Sequence, residues 1–383
     1  MSYDVSIVPC SSYEPAQCRR ALEEALAPLG GLDWVSSGMR IVIKVNLVSA
    51  MKPEAAATTH PALLTELVKM LKEKGAEVIL GDSPGGLFNA AHLNHVYDVC
   101  GLRACEEAGA QLNQDFSQCV VKDANAVAAK EFQYTAYLDK ADAIIDFCKL
   151  KTHGMMGMTN AVKNYFGVIP GTMKPEYHFK YPNAADFADM LIDLCQHFKP
   201  RLVLCDAVVG MEGNGPTMGT PRKIGALLAG LDAHKVDLVS CGLLGYTPGE
   251  IPTLKAAIAR GLIPDSAGKL SVFGDPAAFA VPDWQRMQAQ STTSFRFMRK
   301  GIVGKAVSAV VGTTLTPYPK PAKSECIGCA KCAGICPAGA ITMRHKLPVI
   351  DRGKCIHCFC CQEFCPKGAM KAARSGIMRL LNR

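Results

Sequence analysis

The chain has 383 residues, 49% of them hydrophobic and 20% charged, with 18 cysteines and a formal net charge of +8. This length predicts two or three domains, and the composition excludes a collagen-like or disordered chain. No apolar run reaches the ~18–20 residues of a membrane-spanning helix, and the N-terminus lacks a secretory signal pattern, so a cytoplasmic protein is expected. A nucleic-acid-binding protein would need a basic stripe with interleaved aromatics, which is missing.

The first 290 residues alternate between strand-like and helix-like stretches. Strands are predicted at Val5–Pro9, Met39–Asn46, Ala76–Leu80, Asp142–Phe147, Arg201–Asp206, Lys223–Ala229 and Lys269–Gly274. Helices are predicted at Glu14–Leu29, His60–Lys74, Ala184–Phe198 and Ala233–Leu244. This alternation predicts an α/β body with a mostly parallel sheet, arranged in two lobes.

Polar side chains follow four of these predicted strands at the point where each strand ends. They are Lys44 and Asn46, then Asp82, then Lys149, Lys151, Thr152 and His153, and finally Asp206. Open parallel sheets bind ligands at the carboxyl ends of their strands, so one shared pocket is expected. Any one of these residues alone is more readily explained as a helix cap, and the prediction therefore depends on their coincidence.

Two loops extend the candidate site. After Lys151 comes a stretch rich in glycine, amides and cations, in which a helix over residues 158–165 would place Asn160, Lys163 and Asn164 on one face. The segment Met211–Pro221 is glycine-rich but matches neither the dinucleotide fingerprint nor a Walker A sequence, so it fits a flexible active-site loop or a tight turn.

Lysines beside amide donors suit an anionic substrate such as a carboxylate or phosphate. The predicted substrate-binding residues are Lys44, Asn46, Asn160, Lys163, Asn164, Asp206, Glu212 and Asn214. The candidate catalytic residues are His153, Asp82 and Lys151, with His153 as a general acid or base, although a lone histidine is more often structural.

Several of these stretches carry a family resemblance. They are Lys44-Val-Asn-Leu, Thr59-His60-Pro61, Gly81-Asp82-Ser-Pro, Lys149-Leu-Lys-Thr-His153, Asn160-Ala-Val-Lys-Asn164, and Asp206 with Glu212-Gly-Asn-Gly-Pro216. The sequence resembles the uncharacterised domain-of-unknown-function family 362, whose members often carry a C-terminal ferredoxin module. The resemblance implies an α/β body with an attached electron-transfer module, in anaerobic or low-oxygen bacteria. It implies no substrate.

The C-terminal region contains nine of the 18 cysteines, and eight of them form two runs of the same motif. Cys326 to Cys336 and Cys355 to Cys365 each read C-x2-C-x2-C-x3-C-P, and the second run repeats the first 29 positions later. Clustered thiols in a cytosolic protein indicate metal or redox chemistry, while structural zinc sites use paired C-x2-C units far apart. The duplication resembles the bacterial-type two-cluster ferredoxin.

That resemblance implies two [4Fe–4S] clusters, because the fourth cysteine of each run in that family binds the other cluster. The implied ligands are Cys326, Cys329, Cys332 and Cys365 for cluster one, and Cys355, Cys358, Cys361 and Cys336 for cluster two. Cys360, between two implied ligands, is a spare thiol that could replace one of them. A flavin is neither indicated nor excluded.

Charge and composition divide the chain in the same way. Residues 323–383 hold 11 Lys and Arg against three Asp and Glu, which accounts for the whole surplus of +8. Predicted domains are the body over 1–290, a linker over 291–322, the two-cluster module over 323–372 and a basic tail over 373–383. The basic module would either attract an acidic electron carrier, such as a ferredoxin or flavodoxin, or simply be solvated.

The function predicted from these features is an iron–sulfur oxidoreductase that passes electrons through two clusters to a small anionic substrate at the strand ends. Two alternatives remain, namely a non-catalytic electron carrier or iron–sulfur donor, and a non-redox isomerase or lyase with structural clusters. The apolar stretch Gly301–Gly312 is expected to pack on the body or on another subunit, which would make the protein a homo-oligomer.

Overall fold

A computed structural model describes residues 3–286 and 318–373. Residues 291–317 of the predicted linker and residues 374–383 of the predicted tail lie outside this described part, as does Gly301–Gly312. The predicted domain boundaries therefore stay predictions.

The chain forms fifteen strands and eleven α-helices within the described residues. The strands are β1 (Val5–Pro9), β2 (Arg40–Val45), β3 (Glu77–Gly81), β4 (Gln111–Leu112), β5 (Gln118–Lys122), β6 (Glu131–Thr135), β7 (Ala143–His153), β8 (Gly157–Thr159), β9 (Leu202–Glu212), β10 (Thr220–Gly230), β11 (Val272–Phe273), β12 (Tyr318–Pro321), β13 (Ile341–Arg344), β14 (Leu347–Ile350) and β15 (Met370–Ala373). The helices are α1 (Pro15–Leu26), α2 (Pro61–Glu73), α3 (Ala90–Val99), α4 (Arg103–Glu107), α5 (Ala161–Asn164), α6 (Lys174–Lys180), α7 (Ala184–Phe198), α8 (Ala233–Leu243), α9 (Pro252–Ala259), α10 (Lys331–Gly334) and α11 (Cys360–Glu363).

A nine-stranded sheet runs through the body in the order β11-β1-β10-β9-β7-β2-β3-β4, with β8 paired to the end of β7. Strands β9, β7, β2, β3 and β4 are parallel to one another, and β10 is antiparallel to both of its neighbours. The central strands are apolar on both faces, as β2 shows in Ile41-Val-Ile, because helices cover both sides of a parallel sheet. The mostly parallel α/β body predicted from the sequence is confirmed.

Helices cover the two faces of this sheet in chain order. One hydrophobic core contains residues of α1 to α4, for example Leu22 and Leu67. The other contains residues of α5 to α9, for example Leu191 and Val239. Both halves of the body share one sheet, and its central parallel strands end at a common edge.

The main differences from the predicted elements lie where polar residues continue a strand. Strands β7 and β9 run on to His153 and Glu212, past the lysines and the aspartate that were expected to end them. The predicted helix over 158–165 is wrong. Its first residues form β8, and α5 begins only at Ala161, so Asn160 precedes the helix and does not share its face.

Residues 318–373 form a small α+β unit, called the C-terminal module below. Strand β12 pairs with β15, β13 pairs with β14, and each cysteine run contains a short helix. The two halves repeat each other in backbone conformation, since Ala330 and Phe359 precede the helices with φ of 60° and 62°. Across the described ranges, no helix is long and apolar enough to cross a membrane.

Candidate functional site

The carboxyl edge of the large sheet faces the C-terminal module across a cavity of about 700 Å³, called the strand-end cavity here. The body lines it with the loops after β2 and β3 and with residues around α5 and α6, while the module adds residues near α10 and α11. Five of the predicted site residues line this cavity: Asn46, Asp82, Lys151, Lys163 and Asn164. The structure thus brings together residues from three strand ends and one loop.

Lys44 lies behind the wall of the cavity and is fully buried. Its ammonium is 2.9 Å from Oδ1 of Asp82, and it donates hydrogen bonds to Oδ1 of Asn164 and to the carbonyl of Val45. A Cβ at Gly167 would lie 2.6 Å from Nζ of Lys44 and would also collide with Asp82, so only glycine leaves room for this ion pair. The pair forms because parallel pairing puts Lys44 opposite Gly81, next to Asp82.

A network of amides fixes the cavity wall. Oδ1 of Asn164 accepts a hydrogen bond from Nδ2 of Asn46 at 3.1 Å, and Nδ2 of Asn164 donates to Asp146 at 2.6 Å. Nζ of Lys151 donates to Oδ1 of Asn46 at 2.8 Å and to the carbonyl of Ala57 at 2.6 Å. Burial, followed by the charges of Lys163 and Lys149, lowers the pKa of Lys151 to about 7. Lys151 can therefore change its protonation state near neutral pH.

His153 does not line the cavity. Its Nδ1 accepts hydrogen bonds from the backbone amides of Met155 and Met156, at 3.0 and 3.2 Å. The proton of the neutral ring is therefore on Nε2, which lies 2.9 Å from Oε1 of Glu363 in α11. Burial lowers the pKa of His153 to about 4. The placement makes His153 a contact between body and module, rather than the general acid or base that the sequence predicts.

Four further predicted residues lie away from the cavity. Asn160 is buried in the core, where its Nδ2 donates to Oγ of Ser240 at 2.9 Å. Asp206 forms a buried ion pair with Lys149 at 2.8 Å. Glu212 accepts a hydrogen bond from the backbone amide of Gln285, and Asn214 accepts one from Gln362 of the module at 2.6 Å. Asn160, Asp206 and Glu212 therefore have structural partners, and Asn214 joins the module to the body.

Several buried or half-buried ionisable residues of the cavity were not predicted from the sequence, among them Lys174, His178 and Glu363. Lys174 and His178 lie on α6, which follows no strand and so gave no strand-end signal. Glu363 is hidden within the second cysteine run, where the metal pattern dominates. His178 is 1% exposed and stacks on Phe187 with ring centroids 4.5 Å apart. Burial lowers the pKa of His178 to about 3, so the ring is neutral.

The eight predicted metal ligands surround two small cavities in the C-terminal module. Cys326, Cys329, Cys332 and Cys365 line the first thiol cavity. Cys336, Cys355, Cys358 and Cys361, together with Cys360, line the second. Each cavity thus takes three predicted ligands from one run and one from the other, which is the crossed arrangement implied by the ferredoxin resemblance.

Backbone amides beside the thiols are a second feature of these cavities that suits iron–sulfur clusters. The amide of Ala340 donates to Sγ of Cys336, and the amide of Ala369 donates to Sγ of Cys365, both at 3.2 Å. Amide hydrogen bonds of this kind tune the potential of bound clusters. In the described part of the chain, no three His, Cys, Asp or Glu side chains converge closely enough for a single metal ion. Thiols spread around a cavity suit a multi-iron cluster, in which each thiolate binds a different iron.

The first thiol cavity adjoins the strand-end cavity. Lys331, Cys365 and Pro366 line both of them. A thiol implied as a ligand of cluster one therefore forms part of the wall that encloses the lysines of the body. The module closes the strand-end cavity on one side, and its ligands lie at that closure.

Comparisons with known proteins agree with this division. A family model described as a domain of unknown function (DUF362) matches residues 41–242, more than half of the chain. A model described as a 4Fe-4S dicluster domain matches residues 325–369. The chain is 30% identical over 292 residues to a thylakoid-associated protein of Synechocystis sp., which covers 74% of this chain and 88% of that protein.

One solved structure with a similar chain path is the lactate racemase apoprotein from Thermoanaerobacterium thermosaccharolyticum. It aligns with a TM-score of 0.40 and 14% identity, over 64% of this chain and 57% of that one. The first family model and the match to the Synechocystis protein show the family. The chain belongs to the DUF362 family and carries a C-terminal 4Fe-4S dicluster domain, as the sequence motifs predicted.

Proposed function

We propose that this protein is an iron–sulfur oxidoreductase that reduces a small anionic substrate bound in the strand-end cavity. The observation that carries the proposal is the shared wall, since Cys365 lines both the first thiol cavity and the strand-end cavity. Two [4Fe–4S] clusters, held by the eight cysteines of the two runs, would supply single electrons at this wall.

The side chains of the cavity take distinct roles in this proposal. Lys151, Lys163 and Asn164 bind the anionic group of the substrate. Lys44 and Asn46 position Asn164 and Lys151 through their hydrogen bonds. A substrate that receives electrons also needs protons, and Lys151 is suited to donate one because its pKa lies at about 7.

Asp82 is less suited to proton transfer than the sequence predicts. Its Oδ2 accepts the backbone amide of Leu47 at 2.7 Å, and its Oδ1 accepts that of Ser83 at 2.9 Å. The same Oδ1 lies beside the ammonium of Lys44. Because both carboxylate oxygens are already engaged by backbone amides and by Lys44, we assign Asp82 to holding Lys44 and the two loops in place.

The electron donor that we propose is an acidic carrier protein. The described part of the module holds nine Lys and Arg against three Asp and Glu, and most of these basic side chains are exposed. Cys329 of the first run is also exposed, so a carrier docked there would meet a predicted ligand of cluster one. Such docking would be electrostatic, and its rate would fall as salt rises. The cytoplasm is the compartment we propose for this exchange.

The test uses holoprotein that is reconstituted anaerobically and reduced with dithionite. It is mixed with a panel of unsaturated carboxylates, keto acids and their neutral analogues, and the absorption of the oxidised clusters is followed. We expect an anionic acceptor to restore this absorption, and the Lys151→Ala variant to slow the recovery at least about tenfold. The matched control is Lys69→Ala on the outer face of α2, which should leave the rate unchanged.

Two results would contradict the proposal. One is recovery only with neutral acceptors at a rate that Lys151→Ala leaves unchanged. The other is conversion of a carboxylate without any change in the oxidation state of the clusters, which would favour the isomerase or lyase alternative.

A further inference from the structure

Three of the five lysines that line the strand-end cavity are buried or half-buried. Lys151 is 1% exposed and Lys174 is 9% exposed, and both line the cavity together with the half-buried Lys163. Lys174 donates to the carbonyls of Phe166 and Ile169, at 2.8 and 2.6 Å. Lys163 has no hydrogen bond or ion pair to another described residue, and its ammonium lies 5.4 Å from the ring centroid of Phe166. Within the described ranges, none of the three is paired with a carboxylate.

The carboxylates near the cavity are committed to other partners. Asp82 pairs with Lys44 and accepts two backbone amides, and Glu363 lies against His153. Asp146 lies behind Asn164, where burial raises its pKa to about 8, so it is mostly neutral at pH 7. Four lysines (44, 151, 163 and 174) therefore face two carboxylates, so with all four lysines protonated the wall would carry two positive charges without a counter-charge.

The pKa values of the three lysines are lowered, as expected for buried ammonium groups without a paired carboxylate. Burial lowers the pKa of Lys174 to about 7, with Lys44 and Lys163 adding to the effect and Asp82 and Glu363 opposing it. Lys151 behaves in the same way, opposed by Glu363 and Asp82. Burial also lowers the pKa of Lys163. Each of these ammonium groups lacks the negative charge that would hold its proton.

Neutral hydrogen-bonding groups also point to a ligand. Ser83, Thr217 and His178 all line the cavity. Oγ of Ser83, Oγ1 of Thr217 and Nδ1 of His178 are buried and have no hydrogen-bond partner among the described residues. Buried polar atoms are seldom left unpaired, because each one loses its hydration without compensation. The three groups belong to three different segments of the cavity lining, so hydrogen-bonding capacity is left unused around the cavity.

We infer that the strand-end cavity is a binding site for a small dianion, such as a dicarboxylate or a phosphate monoester. Two negative charges match the two uncompensated lysines, and oxygen atoms accept hydrogen bonds from the ammonium and hydroxyl groups around the cavity. The inference rests on the proposed function in that it names the substrate class of the same cavity. A monoanion would leave one buried positive charge unbalanced.

The clusters do not remove this surplus. Each oxidised four-iron cluster with its four thiolates carries a net charge of about −2. Apart from Glu363, the described part of the module holds nine Lys and Arg against two carboxylates. This net positive charge is larger than the negative charge of two clusters. The lysines of the body therefore remain available to a ligand in the holoprotein.

Calorimetry on the oxidised holoprotein tests the inference with succinate, inorganic phosphate and acetate as probes. We expect succinate or phosphate to bind at least about tenfold more tightly than acetate, and the preferred dianion tells a dicarboxylate site from a phosphate site. Binding at pH 8 should take up protons, because a dianion raises the pKa values of Lys151 and Lys174 from about 7. The heat in buffers of different ionisation enthalpy measures this uptake.

The variant Lys163→Met should weaken dianion binding about tenfold without leaving another group unpaired. The control Lys52→Met removes an exposed lysine at the rim of the same cavity and should change affinity less than about threefold. Equal affinity for acetate and the dianions, or no binding of any of them, overturns the inference. If reduced holoprotein passes electrons only to neutral acceptors while dianions still bind, the proposed function fails and the dianion site stands.

Discussion

The two thiol cavities and the strand-end cavity are specified by the sequence in different ways. Three of the four predicted ligands at each thiol cavity come from one short run, so local spacing is enough to predict them. The strand-end cavity takes Asp82, Lys151 and Lys174 from segments that meet only because parallel strands end at one edge. The comparison teaches that a metal site can be found by its motif, whereas a binding cavity depends on topology.

The crossing of the two cysteine runs gives the largest expected effect. Cys365→Ala and Cys332→Ala should abolish the same cluster signal in electron paramagnetic resonance, and Cys361→Ala should abolish the other. Each loss should remove about four irons per chain, because a [4Fe–4S] cluster holds four. Iron analysis and spectra of the reduced proteins measure this.

The control for these variants is Cys119→Ala, on β5 of the body, which should keep the full iron content. Loss of the same signal from Cys365→Ala and Cys361→Ala would contradict the crossed assignment. It would also mean that the spacing of the cysteines does not predict which thiols share a cluster.

The buried pair of Lys44 and Asp82 gives the next largest effect, now in the body. Lys44→Met leaves a carboxylate buried without its cation and should lower the free energy of unfolding by about 3–5 kcal/mol. Urea unfolding measures the change. The double variant Lys44→Met with Asp82→Asn should recover part of it, because the orphan charge is gone.

Arg19→Met is the matched control, since it removes a half-exposed pair with Glu73 on the outer surface. It should cost less than about 1 kcal/mol. An equal loss of unfolding free energy in Lys44→Met and Arg19→Met would show that the buried pair stabilises the protein no more than the surface pair.

The contact between Glu363 and His153 joins the two regions. Glu363→Ala should expose the loop around His153, and the amides of Met155 and Met156 should exchange faster by about a factor of ten, in line with loss of a buried polar contact worth about 1–3 kcal/mol. Hydrogen exchange followed by mass spectrometry measures this. Glu325→Ala, which breaks an exposed pair with Lys371 in the same module, should leave exchange of this loop unaltered. Faster exchange in both variants would point to general loosening of the module.

The pH dependence of stability comes last, because its effect is spread over several pH units. Lys174 has a pKa lowered to about 7 from its ordinary value of 10.5, so the unfolded chain binds more protons between these values. Stability should therefore rise with pH from about 7 to 10.5, by up to ~1.4 kcal/mol per pH unit for one fully buried lysine. In Lys174→Met this slope should be shallower. An unchanged slope would mean that Lys174 keeps an ordinary pKa in the folded protein.

The sequence predicted the parts of the molecule that depend on local patterns. The alternation of strands and helices predicted the α/β body, and the bounds of β1 and α7 match the structure. The polar residues within β7 misled the prediction of its end, since Lys149 and Lys151 are buried by pairing that a single strand does not reveal. Lys174 and His178 were missed for the same reason, because the sequence alone does not show that α6 lies beside the strand ends.

Residue type alone also misassigned some roles. His153 has the chemistry of a general acid or base, but its Nδ1 is occupied by two backbone amides and its Nε2 faces Glu363. Asn160 shares a loop with Lys163, yet the backbone turns at Ala161 and directs Asn160 toward Ser240. Such outcomes follow from local backbone geometry that residue spacing does not determine.

The central claim is that the strand-end cavity and the adjacent cluster site act as one unit. Midpoint potentials measured by redox titration with paramagnetic resonance, with and without saturating succinate or phosphate, test it most directly. A dianion beside Cys365 opposes an added electron, and the linkage is reciprocal, so the potential of the cluster bound by Cys365 should fall while the other changes less. In Lys163→Met, about tenfold more ligand should be needed to produce the same shift. Unchanged potentials in a protein that calorimetry shows to be saturated would contradict the account.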